Sequence, residues 1–424
     1  MFRTYYFSEM PYPYTPTLEF AEVARTTMPT RWFDPDAAHD VYHKYFDLVL
    51  AADDIGLDVM FNEHHETMSN MDAAMPLSMA IAARETRRAR ILALGNPVAN
   101  RPDPVRVATE MAMIDVVSEG RLDCGFVRGV SYEMSATNAR PTDMKPRLYE
   151  AIDLIVKAWT SHDGPFNWEG EFFHHRQVNI VPRPFQQPHP PIWVTTLSPS
   201  SAVEIAERGY TIATIFNGKK VCGEIFDAYR VELARLGRPE AHPDKFAYSN
   251  FVFVGESDDE ALAAAPKLLD FLRQSRRLAP GQTDVPGYID ARARAAALAE
   301  SGASNPNRGL TQGLGDPLAL AETGVAFWGS PESVFAQMRD FFYAVGGYGN
   351  LCGMFHASTM SYTTTRRSME LFAREVLPRF REEVYEPWLK EHGLKSTIGT
   401  SGDAERSMDI SAEAGFVSPP AGVH

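Results

Sequence analysis

Short apolar runs alternate with longer amphipathic segments along most of the chain, which is the pattern of strands followed by helices. Eight runs are predicted as strands, at residues 2–7, 57–61, 91–94, 121–127, 192–196, 210–216, 246–254 and 351–355. Segments with helical spacing lie between them, and Asp36 is expected to cap the first helix because a short acidic side chain accepts from free helix N–H groups. The chain therefore reads as a series of strand and helix units.

The segment from residue 90 to 130 shows one such unit most clearly. The run Ile91–Leu94 breaks at Gly95-Asn96-Pro97, an amphipathic helix follows from Pro104, and a second apolar run begins at residue 121. Connections this short require a parallel strand pair with a right-handed crossover. Eight such units predict a (β/α)8 barrel. The alternative, a doubly wound open sheet, would carry a Gly-x-Gly-x-x-Gly turn after an early strand, and the sequence has none.

Two stretches interrupt the alternation and are predicted as insertions. Residues 164–180 follow the fourth strand and favour an exposed hairpin, and residues 274–326 lie between the seventh and eighth strands with weak periodicity. An irregular segment that long is typical of a lid. We expect one barrel domain over residues 1–385 and a partly loose extension over residues 386–424.

Charge and cysteine content narrow the class of protein. The chain has 41 basic and 55 acidic residues, a net charge of −14, so nucleic acid and anionic membranes are not expected partners. Cys124, Cys222 and Cys352 are well separated, which favours a reducing compartment over a disulfide framework. The sequence begins without a signal peptide pattern and has no uncharged apolar run of about 18 residues. We expect a cytoplasmic protein.

In a barrel, the carboxyl ends of the strands meet at one rim, where the chemistry of such folds is found. Remote polar and aromatic residues should therefore become neighbours. The rim is predicted to gather Ser8-Glu9, Asn62-Glu63-His64-His65, Gly95-Asn96, Arg128-Gly129, Thr195-Thr196, Phe216-Asn217 and Phe355-His356.

Several of these groups have more than one interpretation. Glu63-His64-His65 could bind a metal, although adjacent residues at a strand end point in opposite directions, or could be a hydrogen-bonded structural pair. Arg128 could form an ion pair or clamp an anion. The serines Ser198 and Ser201 could simply cap the helix they begin, or its free N–H groups could hold a phosphate. No metal site is predicted.

Two motifs resemble a known family. The segment PVRVATEMAMIDVVSEGRLDCGFVRG and the EHH at residues 63–65 are similar to fingerprints of the bacterial luciferase-like flavin-dependent monooxygenases. The resemblance implies that His64 is the catalytic histidine and that Arg128, Ser198 and Ser201 hold the phosphate of FMN. It also implies that Gly95-Asn96 presses on the flavin ring, where family members often carry a non-prolyl cis peptide bond. A plain glycine turn is the alternative.

The resemblance further implies an activity. Reduced FMN, supplied by a separate flavin reductase, would react with O2 to a C4a-(hydro)peroxyflavin that oxygenates a small organic substrate, and the protein would form a homodimer or higher homo-oligomer. The substrate pocket would be formed by Glu9, Met10, Asn62, His65, Phe216 and His356. Bacterial luciferase has a reactive cysteine where this chain has Val127, so light emission is not implied. An F420-dependent dehydrogenase of the same fold and a non-catalytic flavin-binding protein remain alternatives.

Overall fold

The computed structural model describes residues 1–13, 24–275, 317–356 and 360–396, with short pieces between residues 278 and 299. Eight parallel strands form the centre of the molecule, each within a few residues of its predicted position. They are β1 (Arg3–Ser8), β2 (Asp58–Phe61), β3 (Ile91–Asn96), β4 (Leu122–Phe126), β5 (Ile192–Thr195), β6 (Thr211–Ile215), β7 (Phe246–Val254) and β8 (Asn350–His356).

The strands form a closed ring. Each pairs in parallel with the next along the chain, and the ring closes where β8 pairs with β1, with Asn350 opposite Arg3. The predicted (β/α)8 barrel is therefore confirmed, and the open doubly wound sheet is excluded. The closed ring also places all eight strand carboxyl ends at one rim.

A helix packs outside the ring after each strand. The helices are α1 (Pro35–Asp54), α2 (Met75–Glu85), α3 (Pro104–Val117), α4 (Met144–Thr160), α5 (Pro199–Glu207), α6 (Gly218–Arg235), α7 (Pro331–Ala344) and α8 (Tyr362–Leu371). The prediction that Asp36 caps α1 is wrong. Asp34 is the cap, because Pro35 occupies the first helical position and the Asp34 side chain accepts from the N–H groups of Asp36 and Ala37.

The hairpin predicted after β4 is present as the antiparallel strands Phe166–Glu169 and His174–Val178. The insertion after β7 is more regular at its ends than predicted. The helix Asp258–Ser275 leads into residues 274–326, which the sequence marked as the insertion. The helix Pro317–Thr323 and the strand Ala326–Gly329, which pairs with the second half of β7, lie at its other end. Most of residues 276–316 lie outside the described residues.

Beyond α8 the chain continues as helical segments to the helix Glu386–Glu391, where Trp388 and Leu389 are buried. The predicted tail after residue 396 lies outside the described residues, and the domain boundary at residue 385 stays a prediction. Among the helices that the structure describes, none combines the length and the apolarity that a bilayer crossing requires.

A group of paired charged and polar side chains lies at the amino ends of the barrel strands. The guanidinium of Arg90 binds the carboxylate of Asp123 at 2.6 Å, Tyr5 donates to the same carboxylate at 3.1 Å, and Arg3 pairs with Asp58 at 3.0 Å. These groups lie inside the ring or at its bottom and satisfy one another. The opposite rim is left for the polar residues that follow the strands.

Candidate active site

His64, two residues beyond Asn62 at the end of β2, lies between two buried carboxylates. Its Nδ1 is 2.8 Å from Oε1 of Glu133, and its Nε2 is 3.7 Å from Oε2 of Glu9. The hydroxyl of Tyr132 lies 3.2 Å from Nδ1. Burial lowers the pKa of His64, but the charge of Glu9 and the hydrogen bond with Glu133 raise it, and the net direction is upward. The two carboxylates therefore favour the protonated form of the ring more than water does.

Glu133 belongs to a turn of 3-10 helix, Ser131–Glu133, in the loop after β4. Its carboxylate contacts both rim histidines, because Oε1 also accepts from the backbone N–H of His65 at 3.0 Å and Oε2 is 3.4 Å from Nδ1 of His65. Burial raises the pKa of Glu133, but the two histidines lower it by more, so that the pKa is about 2. Glu133 is thus an anion over the whole working range of pH.

His65 shares the Glu133 carboxylate with His64 and has a second carboxylate, Glu63, as its other partner. Its Nε2 lies 2.9 Å from Oε1 of Glu63, and Arg101 donates to both oxygens of Glu63 at 2.6 and 2.7 Å. The carboxylates of Glu133 and Glu63 raise the pKa of His65 to about 10. In the described part of the chain no group of three or more His, Cys, Asp or Glu side chains has the arrangement of a metal site.

Glu9, after β1, is held among neutral amides. Its Oε1 accepts from the side chain of Asn62 at 3.1 Å and its Oε2 from Asn70 at 3.0 Å, and Asn70 also donates to Asn62 at 3.0 Å. Met10 follows with a left-handed φ of 46° and is buried. Three residues of the predicted substrate pocket are thus brought together beside His64.

The end of β3 lies against the end of β4. A non-prolyl cis peptide bond is present at this strand end, between Leu94 and Gly95, directly before the Gly95-Asn96 pair named from the resemblance. A Cβ on Gly95 would lie 2.0 Å from Cγ1 of Val127, so glycine is needed for this contact. Both polar atoms of the Asn96 side chain are buried without a hydrogen-bond partner among the described residues. Such an amide at a rim is a group that a bound ligand can satisfy.

Arg128 begins the loop after β4 and contacts the second insertion. Its guanidinium lies 3.8 Å from the centre of the Tyr288 ring and donates to the Tyr288 carbonyl at 3.0 Å. The Tyr288 hydroxyl donates to the carbonyl of Gly129 at 2.5 Å. A guanidinium can stack through its face and still donate through its edge, so this contact leaves N–H groups for an anion.

Ser198 and Ser201 lie at the start of α5, which follows the strand next to β4. Phe126 of β4 is opposite Val194 of β5, so Arg128 and Ser198 lie beyond neighbouring strand ends. Side-chain capping, one of the two alternatives left open for these serines, is not made by Ser198. It occupies the cap position, but its hydroxyl accepts from no helix N–H and instead bonds to the Ser200 and Ser201 hydroxyls at 3.3 Å. A cluster of hydroxyls at a helix start suits a phosphate.

Phe216 and His356 lie further from these groups. Phe216, after β6, is buried with a φ of 52° and stacks on Phe251 at 4.5 Å. His356, at the end of β8, has both ring nitrogens in hydrogen bonds, to the Ser8 hydroxyl and the Met360 carbonyl at 3.1 Å each. No contact of the described residues links either of them to His64, so their place in a substrate pocket stays a prediction.

Sequence reasoning missed Glu133, Tyr132, Asn70 and Tyr288. All four lie in loops or in the second insertion, where no periodicity predicts what a side chain contacts. The one signal for Glu133 is its position five residues after Arg128, in a loop that leaves the rim. A carboxylate there could have been paired with the histidines after β2 on charge alone.

The family model for luciferase-like monooxygenases matches residues 22–348 of the chain. The oxygenase component of flavin-dependent trigonelline monooxygenase from Acinetobacter baylyi is 26% identical over 369 residues, which cover 82% of this chain and 92% of that protein. Limonene 1,2-monooxygenase from Rhodococcus erythropolis is 23% identical over 363 residues, which cover 83% of this chain and 85% of that protein.

Solved structures share the fold. Monooxygenase RslO1 from Streptomyces bottropensis has a TM-score of 0.67 at 23% identity, and the match covers 89% of this chain and 99% of that one. The oxygenating constituent of 3,6-diketocamphane monooxygenase from Pseudomonas putida, in complex with FMN, has a TM-score of 0.66 at 19% identity with the same coverage. An F420-dependent secondary alcohol dehydrogenase has a TM-score of 0.60 at 16% identity and covers 80% of this chain and 94% of that one.

Proposed function

Because the chain belongs to the luciferase-like monooxygenase family, we propose that it is the oxygenase of a two-component system, using reduced FMN and O2 to oxygenate a small organic molecule. The observation that carries the proposal is the placement of His64. A partly buried imidazole with carboxylates on both sides lies at the same rim as Gly95-Asn96 and Arg128. An acid–base group at that place can serve a reaction on a bound ring.

Three features of the rim fit FMN. The guanidinium of Arg128 and the hydroxyls of Ser198 and Ser201 provide a cation and donors for a phosphate at the start of α5. The Asn96 amide has polar atoms that a flavin ring edge could satisfy. Flavins present carbonyl and N–H groups along that edge, so donor and acceptor roles match.

Bound reduced flavin would supply two electrons to O2, so that one oxygen atom enters the substrate and the other leaves as water. In our proposal His64 holds a proton at Nε2 and donates it toward the reacting oxygen. The buried carboxylate of Glu9 keeps that proton on the ring, because it lies 3.7 Å from Nε2. Tyr288, from the insertion after β7, contacts the loop after β4 and would help to limit the entry of water there.

The names of two relatives suggest a separate reductase and two probe substrates for this chain. The trigonelline relative is named as an oxygenase component, which supports a separate reductase for this chain as well. Trigonelline and limonene differ in charge and polarity, so they are the first two probes of the substrate class. The preferred probe would show which kind of molecule the rim accepts.

The proposal is tested by isotope labelling. The protein is supplied with chemically reduced FMN, 18O2 and each probe, and product, water and hydrogen peroxide are measured. We expect one labelled oxygen atom in the product, and a His64→Ala variant should form peroxide in place of product. Rapid flavin oxidation without product for every probe, in both proteins, would contradict a monooxygenase and leave a flavin carrier.

The dehydrogenase that shares the fold supports F420 as a second candidate cofactor. Fluorescence titrations with FMN and with F420 separate the two. Tight binding of F420, with reduction of F420 by an alcohol in the absence of oxygen, would replace the monooxygenase proposal by a dehydrogenase. We expect FMN to bind more tightly, because the donors at the start of α5 are few and suit one phosphate.

A further inference from the structure

We propose that Glu133 is a positioning residue for His64, which fixes the orientation of the ring and keeps a proton on Nδ1 so that Nε2 faces the reaction space. The inference rests on the proposed role of His64. It concerns a residue outside both family motifs, in the loop after β4. The supporting observations are the contacts of the Glu133 carboxylate with the consecutive residues His64 and His65.

One oxygen of Glu133 fixes His64 through two bonds. Oε1 accepts from Nδ1 of His64 at 2.8 Å and from the backbone N–H of His65 at 3.0 Å. The ring is therefore held relative to its own backbone and cannot rotate about its side-chain bonds without losing the first bond. The Glu133 side chain is only 1% exposed, so water does not compete for its oxygens.

The carboxylate also sets the tautomer of the ring. An ionised carboxylate only accepts hydrogen bonds, so the Nδ1 atom that it contacts carries the hydrogen. Nε2 is then the nitrogen that gains or loses a proton, and it is the one that faces Glu9 at 3.7 Å. Without Glu133 the Tyr132 hydroxyl, 3.2 Å from Nδ1, could donate to that nitrogen and favour the other tautomer.

The surrounding charges agree with this role. Glu9 and Glu133 raise the pKa of His64, whereas burial and the Arg25 guanidinium, which stacks over the Tyr132 ring at 4.6 Å, lower it. On its other side Glu133 faces His65, whose own second partner is Glu63. Because His65 keeps its charge beside Glu133, the carboxylate stays ionised, and the bond to His64 persists through the working range of pH.

The test compares Glu133→Gln with the control Glu66→Gln. Glu66, in the loop after β2, follows His65 directly but is exposed, so its substitution removes the same charge near the two histidines without removing a hydrogen bond to His64. In the protein without flavin, 15N spectra of labelled histidine, assigned with a His64→Gln variant, report the tautomer and the pKa of His64. We expect Glu133→Gln to lower that pKa and to mix the two tautomers, because an amide can donate to Nδ1 as well as accept from it, and Glu66→Gln to leave both unchanged.

Steady-state kinetics give the second readout. Since positioned acid–base groups contribute roughly 100-fold or more, we expect kcat of Glu133→Gln to fall by at least about 10-fold with little change in KM. The alkaline limb of its pH profile should move to lower pH. A folded Glu133→Gln protein with unchanged His64 titration and unchanged profile overturns the proposal, even if the protein is an active monooxygenase.

A variant that fails to fold is replaced by Glu133→Asp, which keeps the charge but is one methylene shorter. We expect it to weaken the Nδ1 bond, so that both tautomers appear in the spectra and kcat falls. A single Nδ1-protonated form with unchanged kcat in Glu133→Asp overturns the proposal. Loss of product in all variants and in the unchanged protein would instead count against the monooxygenase function, while the spectra still decide the role of Glu133.

Discussion

The pKa values of two rim histidines, His64 and His356, are shifted in opposite directions because their hydrogen-bond partners differ. His64 lies between two carboxylates, which raise its pKa. Burial lowers the pKa of His356 to about 4, because its partners are a hydroxyl and a carbonyl and no anion compensates a charge there. A raised pKa and a lowered pKa at one rim are the kind of division of roles that the surroundings impose on identical side chains.

The neutral state of His356 predicts a loss of stability in acid. The unfolded ring takes up a proton below its ordinary pKa of about 6.5, whereas the folded ring does so only near 4. The free energy of unfolding should therefore fall as pH drops from about 6.5 to 4, by roughly 3 kcal/mol from this group. Denaturant unfolding of His356→Gln should show a flatter dependence on pH over that range.

The exposed His174 provides the control. A His174→Gln variant should keep the pH dependence of the unchanged protein. If His356→Gln lost stability in acid as steeply as the unchanged protein, the ring at position 356 would not be the neutral group described here.

At the residue scale, the sequence was informative about polar side chains that come directly after a strand. His64, Glu9 and Asn62 could be placed together because barrel topology brings strand ends to one rim, and the structure joins them through a network of contacts. Glu133 could not be predicted, because its orientation depends on the 3-10 turn that follows Val130. Its histidine partners are set by contacts between two loops rather than by a local pattern.

The contact between β3 and β4 predicts a coupled pair of substitutions. Gly95→Ala would place a methyl group 2.0 Å from Cγ1 of Val127, and overpacking of this kind costs about 1–3 kcal/mol. Val127→Ala removes the clashing methyl groups. In a double-mutant cycle of unfolding free energies, the Gly95→Ala/Val127→Ala protein should be more stable than the sum of the single effects predicts. Simple additivity would mean that the two positions do not touch.

Tyr288, in the insertion after β7 and outside the family motifs, is expected to affect flavin binding. Tyr288 stacks on the guanidinium of Arg128 and so orients it before a phosphate arrives. Cation–π contacts contribute about 0.5–2 kcal/mol, so Tyr288→Ala should weaken FMN binding by roughly 2- to 30-fold in a fluorescence titration.

Tyr288→Phe is the matched control, since it keeps the ring and loses only the bond to the Gly129 carbonyl. Its affinity for FMN should stay close to that of the unchanged protein. Tighter binding of FMN by Tyr288→Ala would show that the ring blocks the phosphate site instead of preparing it.

At the element scale the strands were predicted well because barrel strands are buried on both faces and read as continuous apolar runs. All nine residues of β7 are buried, and its predicted bounds match those in the structure. The helix Asp258–Ser275 was missed. It is rich in Ala and acidic residues and carries Pro266 inside, so its helical period is weak.

At the scale of the whole molecule, one outer face is apolar and predicts self-association. Neighbouring helices α2 and α3 expose a patch of large apolar side chains, namely Leu77, Ile81, Met113, Val116 and Val117. Patches of this kind mark interfaces, and a twofold axis lets the same two helices of a second copy cover them. We expect a homodimer through this face.

Sedimentation of Leu77→Glu/Met113→Glu should show a shift from dimer to monomer, because the substitutions would bury charges without partners. The control is Val231→Glu, an equally exposed apolar residue on α6, away from the patch. A shift in the control alone, or an unchanged protein that sediments as a monomer, would rule out this interface.

The closed ring explains why residues far apart in the chain meet at all. Glu9, His64 and Glu133 come from the loops after β1, β2 and β4, and only the barrel brings them within contact. Alternating apolar runs were enough to predict that ring. The loops that complete the site follow no such rule, and their contacts come from the structure.

A crystal structure of the protein with bound FMN tests the central claim most directly. We predict that the phosphate lies within hydrogen-bonding distance of Arg128, Ser198 and Ser201, with the flavin ring against Gly95-Asn96 and facing Nε2 of His64. A flavin bound elsewhere, or a phosphate that touches none of those three side chains, would contradict the account.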